Sequence, residues 1–549
     1  MRKFIWKTQY NRPHNIKDIM KYIIQQKKLD PHTIVNYING NVKTHDNFLL
    51  NNLEKAIIDI CDNAHNILVV NDADPDGITS GCIMYLGLKS LADKFSWTVN
   101  YSIAERQNGY GLSKKIVDQA ILKSANYIIT TDNGITSNDV IKYAQDNNIT
   151  VIVTDHHQPG KELPNCLIID PQIDNYPFKY ICGALIAFKF IESLYQYLNL
   201  TMDSDLYNEF LSFAAIGTVA DVMKLTDENR YYVSKGLEYL NKTKNIGLKT
   251  LIQQAKLGTI TAETIAFQIG PMLNAANRLG KPAYAMNLLL TDDEPTAEYL
   301  AKELVNLNQS RKKMQKEVAD NIPPEVLKDN FIILYKPNIS SGICGSIASS
   351  ISDIYKKPCF VLTGKKQLMG SGRSAKGYSI LEFIKSIPDI VNGGGHSAAA
   401  GISLDENNLD ELRKRANAHF NHWLIENDKD IEEYLYIVCE MNFDLINMRL
   451  ANNLEALAPF GNGNPRPVFM TSKVNINSAS YIGSENNVLK LELEKDNFTF
   501  PAIAFADVIN QYNENMATVD IAYNIVLNEW NNIATVQLQL VDLRDNLDY

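Results

Sequence analysis

Three short apolar runs, each rich in β-branched residues and each ending on acidic or imidazole side chains, frame the N-terminal half of the chain. Ile67-Leu-Val-Val70 leads into Asp72-Ala-Asp74-Pro-Asp76-Gly77, Tyr127-Ile-Ile-Thr-Thr131 into Asp132-Asn-Gly134, and Val151-Ile-Val-Thr154 into Asp155-His156-His157. Uninterrupted runs of this kind read as strands. Between them the spacing of Leu112, Ile116, Val117, Ala120 and Ile121 is helical. Strand–helix alternation from about 65 to 225 predicts a parallel sheet with right-handed crossovers, which carries the polar residues to one sheet edge.

Elsewhere the pattern changes character. Residues 1–60, with an apolar rhythm at Ile16, Ile19, Met20 and Ile23, read as short helices, and residues 226–295 read as mainly helical. From Ala297 to about Asn321, a stripe of Leu300, Leu304, Leu307 and Met314 predicts a long amphipathic connector, stopped by Pro323-Pro324. A second α/β unit follows, with strands at Phe331–Leu334 and Cys359–Leu362, a helix around Ile347–Ile354, and glycine-rich turns. Beyond a polar helix near 405–428, strict alternation in Val488-Leu-Lys-Leu-Glu-Leu-Glu494 and Thr535-Val-Gln-Leu-Gln-Leu-Val541 predicts half-exposed strands of a β domain. The expected organisation is α/β throughout the first two thirds and β at the end. Its segments are 1–60 helical, 61–295 parallel-sheet domain, 296–325 connecting helix, 326–428 second α/β domain and 429–549 β domain.

At 549 residues the chain is too long for one core. A net charge of −10 argues against a basic coat for nucleic acid, yet leaves room for a locally positive groove. The seven cysteines show no C-x-x-C spacing, so neither a zinc knuckle nor a disulfide framework is indicated. The opening Met-Arg-Lys-Phe-Ile-Trp-Lys lacks the apolar stretch of a signal peptide, and no run reaches the roughly 20 apolar residues of a membrane span. A cytoplasmic location is expected.

The acids carry the chemistry. In an extended segment Asp72 and Asp74 point the same way, and the turn at Pro75 and Gly77 can bring Asp76 to the same cavity. The plain alternative is an Asp-rich turn ahead of a helix. An EF-hand is excluded, because no Glu completes the twelve-residue loop. Asp155-His156-His157 offers nitrogen ligands with an acid to orient them, or a surface turn. Asp221 closes the apolar stretch Phe213-Ala-Ala-Ile-Gly-Thr-Val-Ala220, where an acid needs a partner. Together, five carboxylates and a histidine pair from four segments suit Mn²⁺ or Mg²⁺ better than structural zinc. More than three acids point to two ions sharing a bridging carboxylate, the arrangement that hydrolyses phosphate esters.

The order DxDxDGxTS, TDNGI, TDHH and GTVADV resembles the DHH phosphoesterase superfamily. Arg106…Gly109-Tyr-Gly-Leu112, Pro271-Met-Leu-Asn-Ala275…Arg278-Leu279, Gly370-Ser-Gly-Arg-Ser374, Gly393-Gly-Gly-His396…Ala399-Ala-Gly401 and Pro459-Phe-Gly-Asn-Gly-Asn-Pro465 narrow the resemblance to its RecJ family. The resemblance implies a DHH domain, a connecting helix, a DHHA1 domain and an OB-fold β-barrel. It implies Asp74, Asp76, Asp132, His156 and Asp221 as metal ligands, with Asp132 bridging and Asp72 as ligand or neighbour to one. His157 is expected beside the scissile phosphate, supported by Asp155. The division of roles between the two histidines stays open. Substrate contacts are implied for Arg106, Tyr110, Asn133, Arg278, Ser371, Arg373, Ser374 and His396. In the β domain, Tyr481, Phe498, Phe500 and Phe505 are candidate stacking platforms.

The function so implied is metal-dependent 5′→3′ hydrolysis of single-stranded DNA to mononucleotides, in recombination and repair, by a monomer that meets single-strand-binding protein or a helicase. The alternatives are a phosphodiesterase of oligoribonucleotides or cyclic dinucleotides, which lacks the β domain, and a non-catalytic replication scaffold, which loses metal ligands. Three positions depart from the family pattern. Ile339-Ser340 stands where a Trp-His pair is expected, Ser350 where an arginine is, and Asn277 where a glycine is.

Overall fold

The computed structural model describes residues 4–28, 31–38, 41–104, 111–173, 175–427, 433–483, 487–530 and 533–545. They fall into two units, one of residues 45–223 with 235–431, the other of residues 1–44, 224–234 and 432–549. The first sixty residues are not wholly helical. A strand, β1 (Phe4–Tyr10), precedes the helices Ile16–Gln26, Pro31–Ile38 and Leu53–Asn63. Its pairing partner lies near the other end of the sequence, so no local pattern announces it.

In the larger unit, β2 (Asn66–Asp72), β3 (Thr98–Ala104), β4 (Tyr127–Thr131), β5 (Thr150–Thr154) and β6 (Leu167–Ile169) form an all-parallel sheet in the order β3-β2-β4-β5-β6. The chain leaves β2 to one side to make β3, then returns to make β4 on the other side. That reversal opens a crevice beyond the carboxyl ends of β2 and β4. Asn71 is level with Thr131, and Thr131 with Thr154. Asp72, Asp132 and Asp155 therefore occupy equivalent places at the rim. The helix Pro75–Ser90 is apolar nearly all round because it is enclosed by the sheet and by the helices Gly183–Tyr197 and Ser204–Ala220.

The long helix Glu294–Asp320 packs on both the helix Gly270–Arg278 and the helix Ser341–Tyr355, so it joins two layers of this unit. Beyond it, β7 (Ile332–Tyr335), β8 (Cys359–Gly364), β9 (Gln367–Arg373), β10 (Asn392–Gly395) and β11 (Ala399–Asp405) form a sheet ordered β10-β11-β9-β8-β7, in which β7 and β8 alone are parallel. Two of the departures have structural work here. The Ser340 hydroxyl accepts the Gly342 amide at a helix start and donates to the Arg278 carbonyl at 2.9 Å. Ser350 Oγ accepts from Gln315 Nε2 of the long helix.

In the smaller unit, β12 (Glu433–Cys439) runs parallel to β1. A closed barrel follows, of β13 (Phe469–Ile482), β14 (Val488–Lys495), β15 (Phe498–Phe505), β16 (Thr518–Trp530) and β17 (Ile533–Asp545), in the order β13-β14-β15-β17-β16. Closure leaves no free sheet edge. Trp6 Nε1 donates to Asp542 Oδ2 at 2.6 Å, and the Arg544 guanidinium lies 4.0 Å over the Trp6 ring. Arg230, wholly enclosed, donates to the Leu457 and Ala458 carbonyls. Among the described residues, no helix is long and apolar enough to cross a membrane.

Candidate metal centre

Each acid of the first motif has a distinct local reason for its place. Asp74 caps the helix Pro75–Ser90, its Oδ1 accepting the amides of Asp76 at 3.0 Å and Gly77 at 3.1 Å. Asp76, buried in the first turn, caps a different helix. Its Oδ2 accepts the Gly183 amide at 2.7 Å and its Oδ1 the Ala184 amide at 2.9 Å, at the positive end of Gly183–Tyr197. Asp72 is the last residue of β2 and is buried.

Asp132 leaves β4 in the left-handed region, φ 62°, where a non-glycine residue costs about 1 kcal/mol or more. Its amide donates to the Thr154 carbonyl at 2.9 Å, which fixes the turn. Two helical glycines make space for the acids. A Cβ at Gly183 would stand 2.6 Å from Asp132 Cβ, and one at Gly217 would stand 2.5 Å from Asp76 Oδ1. Asp221 caps the C-terminal end of Ser204–Ala220, next to Val222, itself at φ 56°.

Three groupings result, each with its ligand atoms within 4.8 Å of one another: Asp132, His156 and His157; Asp76, His156 and Asp221; and Asp72, Asp74 and Asp132. His156 Nε2 lies 3.0 Å from Asp132 Oδ1, 3.7 Å from Asp76 Oδ2 and 3.6 Å from Asp221 Oδ2. These are not ion pairs, because burial holds the His156 imidazole below its usual range and leaves it neutral at pH 7. Burial, then the charges of Asp76, Asp74 and Asp72, pushes the Asp132 carboxyl well above the carboxylate range. Asp221 rises to about 8 for the same reasons, burial first and Asp76 next. Asp132 Oδ1 and Asp221 Oδ2 are buried and accept no hydrogen bond. Carboxylate oxygens gathered around an imidazole lone pair, two of them buried without a donor, fit a hard divalent cation.

His157 is held differently. Asp155, buried, accepts its Nδ1–H at 2.7 Å and the amides of His156, His157 and Ile135. Burial alone would lower the His157 value. The hydrogen bond and charge of Asp155, with Asp221 and Asp76 beyond, outweigh it and raise it to about 9. Burial likewise raises Asp155, but the His157 hydrogen bond and charge bring it below the usual range.

The expected substrate residues divide. Arg278, ending the helix Gly270–Arg278, donates to the Gly342 carbonyl and lines a cavity with Pro75 and Ala220, which neighbour the acids Asp76 and Asp221. Arg373 and Ser371 lie on β9 against Gly345, and burial lowers the Arg373 value. The Ser374 hydroxyl donates to the Tyr378 carbonyl at 2.6 Å and so serves the fold. His396 is exposed after β10. Asn133 is fully buried, and its Nδ2 donates to the Val70 and Thr131 carbonyls, tying β2 to β4. Arg106 and Tyr110 lie outside the described residues. The sequence reading did not single out Arg311, which lines the same cavity as Arg278 but sits beside Lys312 and Lys313 like part of a polar helix face, nor the backbone amides of Gly183 and Ala184, which carry no side-chain signal.

A parallel sheet with acids and imidazoles at its switch point, joined by a long helix to a second α/β layer, defines a DHH-type phosphoesterase. The family model for the DHH family N-terminal domain matches residues 66–218, that for the DHHA1 domain residues 328–422, and that for the RecJ OB domain residues 437–542. Relatives carrying the name single-stranded-DNA-specific exonuclease RecJ include one from Salmonella typhimurium, 31% identical over 87% of each chain. Another, from Bacillus subtilis, is 31% identical over 87% of this chain but only 61% of its own length. The crystal structure of RecJ in complex with Mn²⁺ from Thermus thermophilus superposes with a TM-score of 0.79 at 26% identity, covering 98% of this chain and 79% of that one. The chain belongs to the RecJ family.

Proposed function

We propose that this protein is a metal-dependent exonuclease that hydrolyses single-stranded DNA from its 5′ end to mononucleotides. The observation that carries the reading is the convergence of Asp72, Asp74, Asp76, Asp132, His156, His157 and Asp221 within three overlapping ligand groupings at one sheet edge. Asp74, Asp76, Asp132, His156 and Asp221 hold two divalent ions in this reading, Mn²⁺ or Mg²⁺, with Asp132 shared and Asp72 beside it. Such ions polarise phosphoryl oxygens and lower the pKa of water.

The protein's own groups do the rest. Asp155 keeps a proton on His157 Nδ1, which leaves Nε2 of the imidazolium to contact a phosphoryl oxygen or hand its proton to the departing oxygen. The guanidinium groups of Arg278 and Arg373, with Ser371 and His396, grip the strand. The barrel binds single-stranded DNA. The same reading places the enzyme in the cytoplasm, as a monomer acting in DNA recombination and repair with single-strand-binding protein or a helicase.

The test uses long single strands labelled at either end, duplex DNA and dinucleotides, each with Mn²⁺ or Mg²⁺ and with chelator. Mononucleotides released from 5′-labelled single strands, and lost in Asp132→Ala, are expected. Activity confined to dinucleotides, or tight binding without cleavage, overturns the reading.

A further inference from the structure

Beside the metal centre lies a cavity of about 170 Å³ whose wall includes Pro75, set between Asp74 and Asp76, and Ala220, which precedes Asp221. Two guanidinium groups share that wall, from Arg278 and Arg311. They come from different elements. Arg278 ends the helix Gly270–Arg278, whereas Arg311 stands in the middle of Glu294–Asp320. Like charges brought to one small cavity repel each other unless an anion lies between them.

Arg311 is held by neutral partners, and burial lowers its guanidinium value. Its Nε and Nη2 donate to Asn308 Oδ1 at 3.2 and 2.9 Å, and Nη1 to Gln315 Oε1 at 3.1 Å. Both acceptors are neutral, and among the described residues Arg311 meets no carboxylate within ion-pair distance. Asn308 is itself buried, so the clamp is rigid. Asn274 lines the same cavity, with its Oδ1 buried and accepting no hydrogen bond. The helix carrying Asn274 and Arg278 is entered through a π-helical turn, Ile265–Ile269, which resets the facing of the residues that follow.

We propose, resting on the single-strand hydrolase reading above, that Arg311 is a positioning residue and that with Arg278 and Asn274 it holds a backbone phosphate of the strand beside the metal centre. With the N–H groups they have left over, two guanidinium ions on one wall suit the charged oxygens of a phosphodiester. The connecting helix is then part of the substrate site as well as a strut between two layers.

Anisotropy of a labelled oligothymidylate, measured in chelator so that nothing is cleaved, tests the assignment. Arg311→Ala is expected to weaken binding about 10- to 100-fold and to reduce the slope of log affinity against log salt by about 0.7, the share of one phosphate on a single strand. Arg311→Lys keeps a point charge and is expected to recover the slope but not the full affinity. Arg311→Gln, which retains donors for Asn308, replaces the alanine variant if that one does not fold. With Mn²⁺ present, KM rises while kcat and the Mn²⁺-induced rise in Tm stay at wild-type levels. Unchanged affinity and salt slope in a variant that still degrades single strands overturn the assignment, as does a fall confined to kcat. A wild-type chain that neither binds nor cleaves single strands overturns the hydrolase reading instead.

Discussion

Asp155 Oδ1 accepts three hydrogen bonds from the two residues that follow it, one of them the 2.7 Å bond from His157 Nδ1. The same carboxylate thus shapes the turn after β5 and sets the charge on its neighbour's ring. His157 stays protonated until about pH 9 because of it.

Asp155→Asn keeps the shape of that group and removes its charge. In saturating Mn²⁺, the alkaline limb of the wild-type kcat/KM profile is expected below about pH 9 but above the ordinary histidine value, since Asp155 still holds the proton while the cations cancel the charges of Asp221 and Asp76. In the variant the limb moves down toward about 6.5, the ordinary histidine value. A pH–rate profile with an unmoved limb separates His157 from the chemistry.

Asp132→Asn should divide activity from stability. Asn tolerates the φ of 62° at this position and cannot ionise to bind a cation. Activity is expected to fall on the order of 10³-fold or more. In chelator any gain in Tm over the wild type should appear only at alkaline pH, where the wild-type carboxyl ionises against Asp76, Asp74 and Asp72. Thermal melts with and without Mn²⁺ check both halves, since the Mn²⁺-induced rise in Tm should also vanish.

The metal-free protein should lose stability as pH rises. Asp221 and Asp132 both have folded-state values above the unfolded carboxylate value, so the native state holds more protons than the unfolded one. Their contribution is fully present below about pH 4 and is lost as the two carboxyls ionise, Asp221 at about pH 8. His157 works in the same direction, between about 6.5 and about 9. Melts in chelator from pH 5 to 9 should show a falling Tm, and the Mn²⁺-induced increment should grow over the same window.

Gly183→Ala and Gly217→Ala press a methyl group against Asp132 and Asp76. Loss of Mn²⁺ affinity by roughly 10- to 100-fold is expected, with about 1–3 kcal/mol of destabilisation. Gly258→Ala is the control, because a Cβ there meets nothing within 4 Å. Mn²⁺ titration followed by Tm distinguishes the three.

On the barrel, Tyr481, Phe498 and Phe505 are more than two-fifths exposed, whereas Phe500 packs edge-on to Phe443 in the core. Tyr481→Ala or Phe505→Ala should cost about 1–3 kcal/mol of single-strand affinity at unchanged Tm if either ring stacks a base. Phe500→Ala should cost about 3 kcal/mol of stability instead.

The acids were legible because a parallel sheet turns a sequence rule into a spatial one. Asp72, Asp132 and Asp155 each follow a β-branched run, and strands in level register leave them side by side. The long helix and the barrel strands were legible from their periods. What escaped depends on approach between distant segments. The Gly183 amide that binds Asp76 has no side chain to notice, and Arg311 has the look of any solvated helix face. The tie that Asn133 makes to carbonyls of β2 and β4 likewise has no signal in the sequence. β1 has a partner near the far end of the sequence, beyond the reach of any window.

That last pairing bears on synthesis and on dissection. β1 leaves the ribosome long before residues 433–439 exist to receive it, so through most of translation its backbone donors and acceptors face water or another chain. A fragment cut to keep the metal centre and discard the barrel would make that interval permanent. Removing residues 1–44 together with the barrel deletes the orphaned strand along with its partner.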